Sequence, residues 1–241
     1  MDFYLSTIWS IFKALPVTIE IWFFGVAIGL CIASLLTWAR ASGIKALDLF
    51  VRGYVFVFRG SPLLVQIYLI YFGSPQIPFI RNSEILWAIF QNPMPCTIIA
   101  MALNTAAYES EIFRGALQAV PLGPIEAAKA YGMNPFTRFR RIIFPIALRL
   151  ALPAYSTEII LMTKATALAS VVTIMEMMGV AQKIQHDTFK PIEVLTCAGL
   201  IYFALNFSIA RAFAMVEYYL SPHLRPPPQQ GTTPAPVADV L

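Results

Sequence analysis

Apolar runs of membrane-spanning length alternate with short polar stretches along this 241-residue chain. The first run, Val17–Trp38, is broken only by Glu20. Some twenty apolar residues in a helix match a hydrocarbon layer about 30 Å thick. Similar runs follow at Val55–Phe72, which Arg59 and Pro62 open, and at Met94–Ile112, Leu150–Val172 and Ile192–Val216. Between the second and third runs, Pro75, Pro78, Asn82, Asn92 and Pro93 break Gly73–Pro93 into a loop. The pattern predicts an all-α, polytopic membrane bundle of about five transmembrane helices within 15–220. Residues 1–14, with Phe3, Tyr4, Trp9 and Phe12, read as an interfacial helix or as a frayed apolar terminus. The Pro/Gln/Thr-rich stretch 221–241 predicts a disordered tail.

Composition agrees with the pattern. Only 12% of residues are charged and 58% are hydrophobic, with a mean hydropathy of +0.68; soluble domains carry about 25% charged residues. The basic residues form no aromatic-interleaved patch, so no nucleic-acid partner is expected. The apolar run from Leu15 to Ala39 exceeds the 7–15 residues of a signal-peptide core, which favours an uncleaved first span. Cys31, Cys96 and Cys197 are far apart in apolar surroundings and read as buried small side chains. His186 and His223 are assigned to a loop and to the tail, and build no metal site or catalytic triad.

Charge then orients the spans. Loops on one side hold Arg40, Lys45 and Arg52, then Arg114, Lys129, Arg138, Arg140, Arg141 and Arg149, then Arg225. The other side holds Lys13, Arg81, Lys183 and Lys190, a balance of ten against four. The positive-inside bias therefore predicts an external N-terminus, a cytoplasmic C-terminus and a cytoplasmic loop between spans three and four.

That loop, 121–145, is the most polar segment inside the bundle. Pro124 suits the first turn of a helix and places Glu126 in that turn, where a carboxylate favours the helix dipole. Ala127, Ala128 and Ala130 leave the helix without bulk, and Gly132 reads as its C-cap. Asn134 and Pro135 start a second helix, which carries Arg138, Arg140 and Arg141 and is expected to stop before Pro145. Two capped short helices fit a docking device or an ordinary basic loop; spacing alone names no partner.

A resemblance goes further. Glu126-Ala127-Ala128, Gly132 after three more residues, Ile142 after nine more, and Pro145 resemble the EAA loop of type-1 ABC importer permeases; Phe144 stands where the pattern has Leu. FRGSPLLVQ at 58–66, LNTAAYESEIFRGAL at 103–117, LRLALPAYSTEIILM at 148–162, KATAL at 164–168 and DTFKP at 187–191 are similar to the polar amino acid branch, including its basic amino acid and opine members. The similarity spans Pro16 to Tyr219. It implies a multi-pass subunit of a bacterial inner membrane, whose Glu126, Ala127, Ala128, Gly132 and Pro145 couple it to two cytoplasmic ABC ATPase subunits. It also implies a second permease subunit, a paralogue, and a periplasmic substrate-binding protein. The chain has no GxxxxGK[ST] phosphate loop, so ATP and Mg are expected on the ATPase and no cofactor in this chain. Basic amino acids or opine-like derivatives are the implied cargo. An ion-coupled secondary transporter is the alternative, and it leaves the EAA segment unexplained.

Charges within spans are costly, about 2.5–3.5 kcal/mol at mid-bilayer. Asn104, Tyr108 and Glu111 follow at i, i+4 and i+7 and share one helix face; Glu158, Met162 and Thr166 form a second stripe. Asn104, Tyr108, Glu111, Glu158 and Thr166 are the candidates for a substrate route, with carboxylates suited to a cationic group. A structural reading pairs Glu111 with Arg114 and makes Glu158 an anchor between helices. Glu109 points away from the first stripe, against a two-carboxylate site on that helix. Arg59 reads as an interfacial anchor or a gate. Lys164 lies mid-span, followed by Ala165 where the family pattern is acidic.

Overall fold

A computed structural model describes residues 2–220, all of the regular structure among them helical. In chain order the helices are α1 (Asp2–Phe12), α2 (Leu15–Ala41), α3 (Lys45–Gly60), α4 (Leu63–Tyr68), α5 (Pro78–Arg81), α6 (Glu84–Phe90), α7 (Pro93–Gln118), α8 (Leu122–Ala130), α9 (Pro135–Arg138), α10 (Phe144–Ala165), α11 (Met177–Thr188) and α12 (Pro191–Leu220). Three described runs are long and apolar enough to cross a membrane: Asp2–Ala41, Pro135–Val172 and Pro191–Leu220. Counting each of two bent helix pairs as one span gives five. The expected tail, 221–241, lies outside the described residues.

α7 is the central post. Its closest partner is α2, because Gly25 and Gly29 of α2 are spaced four apart and face it. A Cβ on Gly29 would stand 3.0 Å from the Cβ of Thr105 and 3.2 Å from the Ala102 carbonyl. Small residues at this spacing let two backbones approach where lipid supplies no hydrophobic drive. Ile21, Ile67, Ala100, Met101, Met162 and Val172 join α2, α4, α7 and α10 in one core. A second core, with Ile11, Met177, Ala181, Val194 and Cys197, packs α1 against α11 and α12. α1 packs as a helix through Ile11.

Proline and polar chemistry correct the predicted boundaries. The second span is not straight: α3 starts at Lys45, ends at Gly60, and meets the following helical segment at 104°. Pro62 has no N–H and holds Ser61 extended, at φ −112° and ψ 143°. The loop 73–93 contains α5 and α6, whose N-cap Ser83 accepts from the Leu86 N–H. The third and fourth spans are longer than hydropathy suggested, since polar residues pack inside the bundle. The stretch after 172 folds as α11, so His186 is helical, on the last turn. Cys96 and Cys197 are buried as expected, whereas Cys31 is exposed on the outer face of α2.

Candidate functional site

The 119–145 loop forms by local rules. α7 ends where the Ala119 N–H reaches the Gly115 carbonyl, and Pro121 leads into α8. α8 starts at Leu122, so Glu126 lies one turn in, beyond the first turn expected for it, and gains little from the helix dipole. Gly132, at φ +71°, stands just past the C-cap Tyr131. Its N–H reaches the Lys129 carbonyl at 2.9 Å, and the Met133 N–H reaches Ala128 at 3.0 Å. These two bonds make a Schellman turn, whose left-handed position favours glycine.

Asn134 then caps α9, its Oδ1 accepting from the Thr137 N–H at 2.8 Å. The helix does not stop before Pro145. α9 runs through a wide π turn, Phe139–Ile143, into α10, and Pro145 sits in the first turn of α10. Proline lacks a donor and crowds the carbonyl four residues back; the wider turn absorbs both. α8 packs back against this segment. Ala128 is buried, while Glu126, Ala127 and Gly132 are exposed. Leu122, Tyr131 and Phe136 stand out beside them, each at least 70% exposed. The result is a rigid knob with an apolar rim.

The polar stripe on α7 turns toward neighbouring helices rather than into one cavity. Asn104 is buried and donates to the Phe58 carbonyl at 3.2 Å and to Gln66 Oε1 at 3.1 Å. Gln66 in turn donates to Phe58, to the Ser61 carbonyl and to Ser61 Oγ. The pair thus satisfies the broken corner between α3 and α4. Glu111 pairs with Arg114 at 2.7 Å and with Arg40. Arg40 also holds Asp48 at 3.1 Å, and Asp48 holds Arg52 at 2.7 Å. Glu111 therefore ties together the ends of α2, α3 and α7.

Tyr108 and Glu158 come together around Arg59. The guanidinium lies 4.9 Å from the centre of the Tyr108 ring and within electrostatic reach of Glu158, which is only 6% exposed. Thr166 is fully buried and donates to the Thr163 carbonyl. Lys164 is exposed and lines a groove between α10, α11 and α12 with Tyr202 and Asn206.

Sequence reasoning missed three parts of this arrangement. Gln66 enters the sequence reading only as the end of the 58–66 match, although its place just past Ser61-Pro62 signals a broken corner that needs donors. Arg40 was counted only as loop charge. Glu109 was set aside because it points away from Glu111. It is fully buried beside Tyr155 and within electrostatic reach of Glu158. Buried carboxyls thus stand on both α7 and α10, not on α7 alone.

Bent spans around a small-residue helix pair, with a capped helical knob between two of them, define a membrane transport subunit. Residues 25–219 match the family described as binding-protein-dependent transport system inner membrane component, and the chain belongs to that family. It is 48% identical over 229 residues to an octopine transport system permease protein of Rhizobium radiobacter, covering 93% of each chain. It is 37% identical to a histidine/lysine/arginine/ornithine transport system permease protein of Escherichia coli, covering 89% of this chain and 90% of that one. A solved amino acid ABC transporter, crystallised with histidines, superposes with a TM-score of 0.75 at 32% identity, over 87% of this chain and 94% of that chain. The chain is a multi-pass ABC importer permease subunit.

Proposed function

We propose that this permease moves basic amino acids, or their opine-like derivatives, into the cytoplasm by alternating access, powered by two separate ABC ATPase subunits. The knob carries this reading: its outward face holds Glu126, Ala127 and Gly132, and its rim holds Leu122, Tyr131 and Phe136. A backbone left bare by alanine and glycine, ringed by apolar side chains, suits a shallow groove on another protein. The Schellman turn and the continuous α9–α10 helix make the knob a stiff lever on the fourth span. ATP and Mg on the ATPases bring two such levers together; this chain contributes the lever and the route.

A paralogous permease completes the pair, and a periplasmic protein delivers the substrate. The N-terminus is external, and the knob and C-terminus are cytoplasmic, as the charge balance favours. Tyr108 and Glu158, beside Arg59, are the part of the route best placed to meet a cationic substrate; Thr166 supports the same helix from behind. Asn104 and Glu111 act as fasteners of that route instead of lining it. The names of the relatives favour this cargo, and the carboxylate supplies a chemical reason.

Reconstitution with the ATPase subunit tests the coupling. Ala127→Trp, on the outward face, is expected to leave insertion intact and abolish stimulation of ATP hydrolysis. Uptake by the permease alone in liposomes, driven by an ion gradient, would instead favour a secondary transporter. For the route, Glu158→Gln with normal assembly and unchanged uptake would overturn the assignment.

A further inference from the structure

The end of the bundle nearest the knob holds a second polar feature, apart from Tyr108 and Glu158. Where α2 ends, the chain turns through Gly43, at φ +75°, and starts α3 at Lys45. Against the end of α7 this turn encloses a cavity of about 390 Å³. Arg40, Lys45, Arg52 and Arg114 line it with Asp48. Glu111 pairs with Arg40 and Arg114 from beneath. Four cations thus face two carboxylates, and both carboxylates are already shared between arginines. Lys45 and Arg52 are exposed at the rim, and Ile44 gives the first N–H groups of α3 no side-chain cap. The site lacks about two negative charges.

An apolar groove adjoins it on the next face of α3, lined by Leu49, Phe50, Gly53 and Val57. Leu49 is 72% exposed and Phe50 66%. α3 belongs to a bent helix pair that together is long and apolar enough for a span, with the basic cavity at its N-terminal end and the apolar groove farther along it.

We propose that this cavity binds the phosphate of an anionic phospholipid, with an acyl chain laid along Leu49, Phe50 and Val57. A phosphodiester supplies one of the two missing negative charges, and arginine forks match its oxygens. A choline headgroup would bring its own cation into a site already in positive excess. A free phosphate would fill the cavity and leave the adjoining groove unused. Basic pockets at the ends of membrane helices recognise lipid headgroups by this chemistry. Because the site gathers the ends of α2, α3 and α7 just before the knob, a bound lipid would hold those ends together.

Native mass spectrometry of the full chain, with phosphatidylglycerol or phosphatidylcholine of matched acyl chains, tests the site. Phosphatidylglycerol is expected to be retained preferentially. Lys45→Gln lies on the rim and should weaken that preference about fivefold; Lys45→Gln with Arg52→Gln should weaken it about 25-fold. Thermal midpoints of the lipid-free variants report whether they fold. Equal retention of the two lipids, or undiminished preference in the folded double variant, overturns the proposal. So does displacement of phosphatidylglycerol by inorganic phosphate at about 1 mM, which would make it a site for soluble anions.

Discussion

Arg40, in the last turn of α2, forms an ion pair with Glu111, in the last two turns of α7, across 71 positions of sequence. Both side chains are largely buried, at 14% and 18% exposure. Each also has another partner, Asp48 for Arg40 and Arg114 for Glu111. Removing Arg40 leaves Glu111 with Arg114, and removing Glu111 leaves Arg40 with Asp48 and Arg114 with the Gln118 amide oxygen, so single substitutions should cost less than breaking an isolated buried pair. A double-mutant cycle of Arg40→Gln and Glu111→Gln, read by thermal unfolding in detergent, is expected to give a coupling of about 1 kcal/mol. Strict additivity would deny the pair a role in holding α2 to α7.

The contact between α2 and α7 depends on Gly29 having no side chain. With Thr105 and Ala102 at 3.0–3.2 Å from a built Cβ, Gly29→Leu must push the helices apart. The expected loss is about 1–3 kcal/mol, the usual penalty for overpacking. Gly199→Ala on α12 meets open space and serves as the control, with little change. Equal thermal midpoints for the two variants would contradict this account of the packing.

Gly132 sits in open space, so within this chain a substitution there is felt through the backbone. At φ +71°, valine should cost at least about 1 kcal/mol locally, whereas asparagine tolerates the left-handed region. Gly132→Val should loosen the Schellman turn and lower ATPase stimulation, and Gly132→Asn should keep most of it. Gly132→Asp tolerates the turn as asparagine does but places a charge on the exposed face of the knob, so it should leave membrane insertion intact yet abolish coupling. Wild-type stimulation in both the valine and the aspartate variants would separate this turn from coupling.

Glu176, between the last two long apolar runs, is fully buried and caps α11 through the N–H groups of Met178 and Gly179, at 2.9 and 2.8 Å. The Tyr202 hydroxyl donates to it from α12. Burial pushes its carboxyl above the ordinary carboxylate range, against the lowering pull of those donors. The folded chain then holds a proton that the unfolded chain releases. Its contribution to stability is full below the unfolded pKa and is lost as pH rises through the folded pKa. Glu176→Gln should flatten that part of the pH profile of thermal stability. Glu176→Ala should lose the cap and about 1 kcal/mol at every pH. A profile unchanged by Glu176→Gln would exclude this carboxyl as its source.

Much of the architecture was legible because membrane burial imposes long runs of one chemistry. Apolar length located the three straight spans, proline and asparagine located the knob, and Gly132 announced its left-handed turn three residues before Pro135. The ends of the elements were less legible. Glu126 fell outside the first helical turn because α8 begins before Pro124. Pro145 did not stop a helix because a π turn upstream took up its missing donor.

The sequence by itself determined an all-helical membrane protein, its basic loop and the caps within that loop. These depend on local propensity, on span length and on spacing along one helix, all of which act between near neighbours. Only the tertiary structure decided what the intramembrane polar groups do. A helical period places Asn104, Tyr108 and Glu111 on one face, but says nothing of what stands opposite. The bend at Ser61-Pro62 brought the Phe58 carbonyl to Asn104 and the Ser61 carbonyl to Gln66. The close approach of α2 brought Arg40 to Glu111, and the packing of α10 on α7 set Glu109 within electrostatic reach of Glu158. In a low-dielectric interior a charge is satisfied by whichever partner the fold delivers, and that partner lies dozens of residues away in sequence.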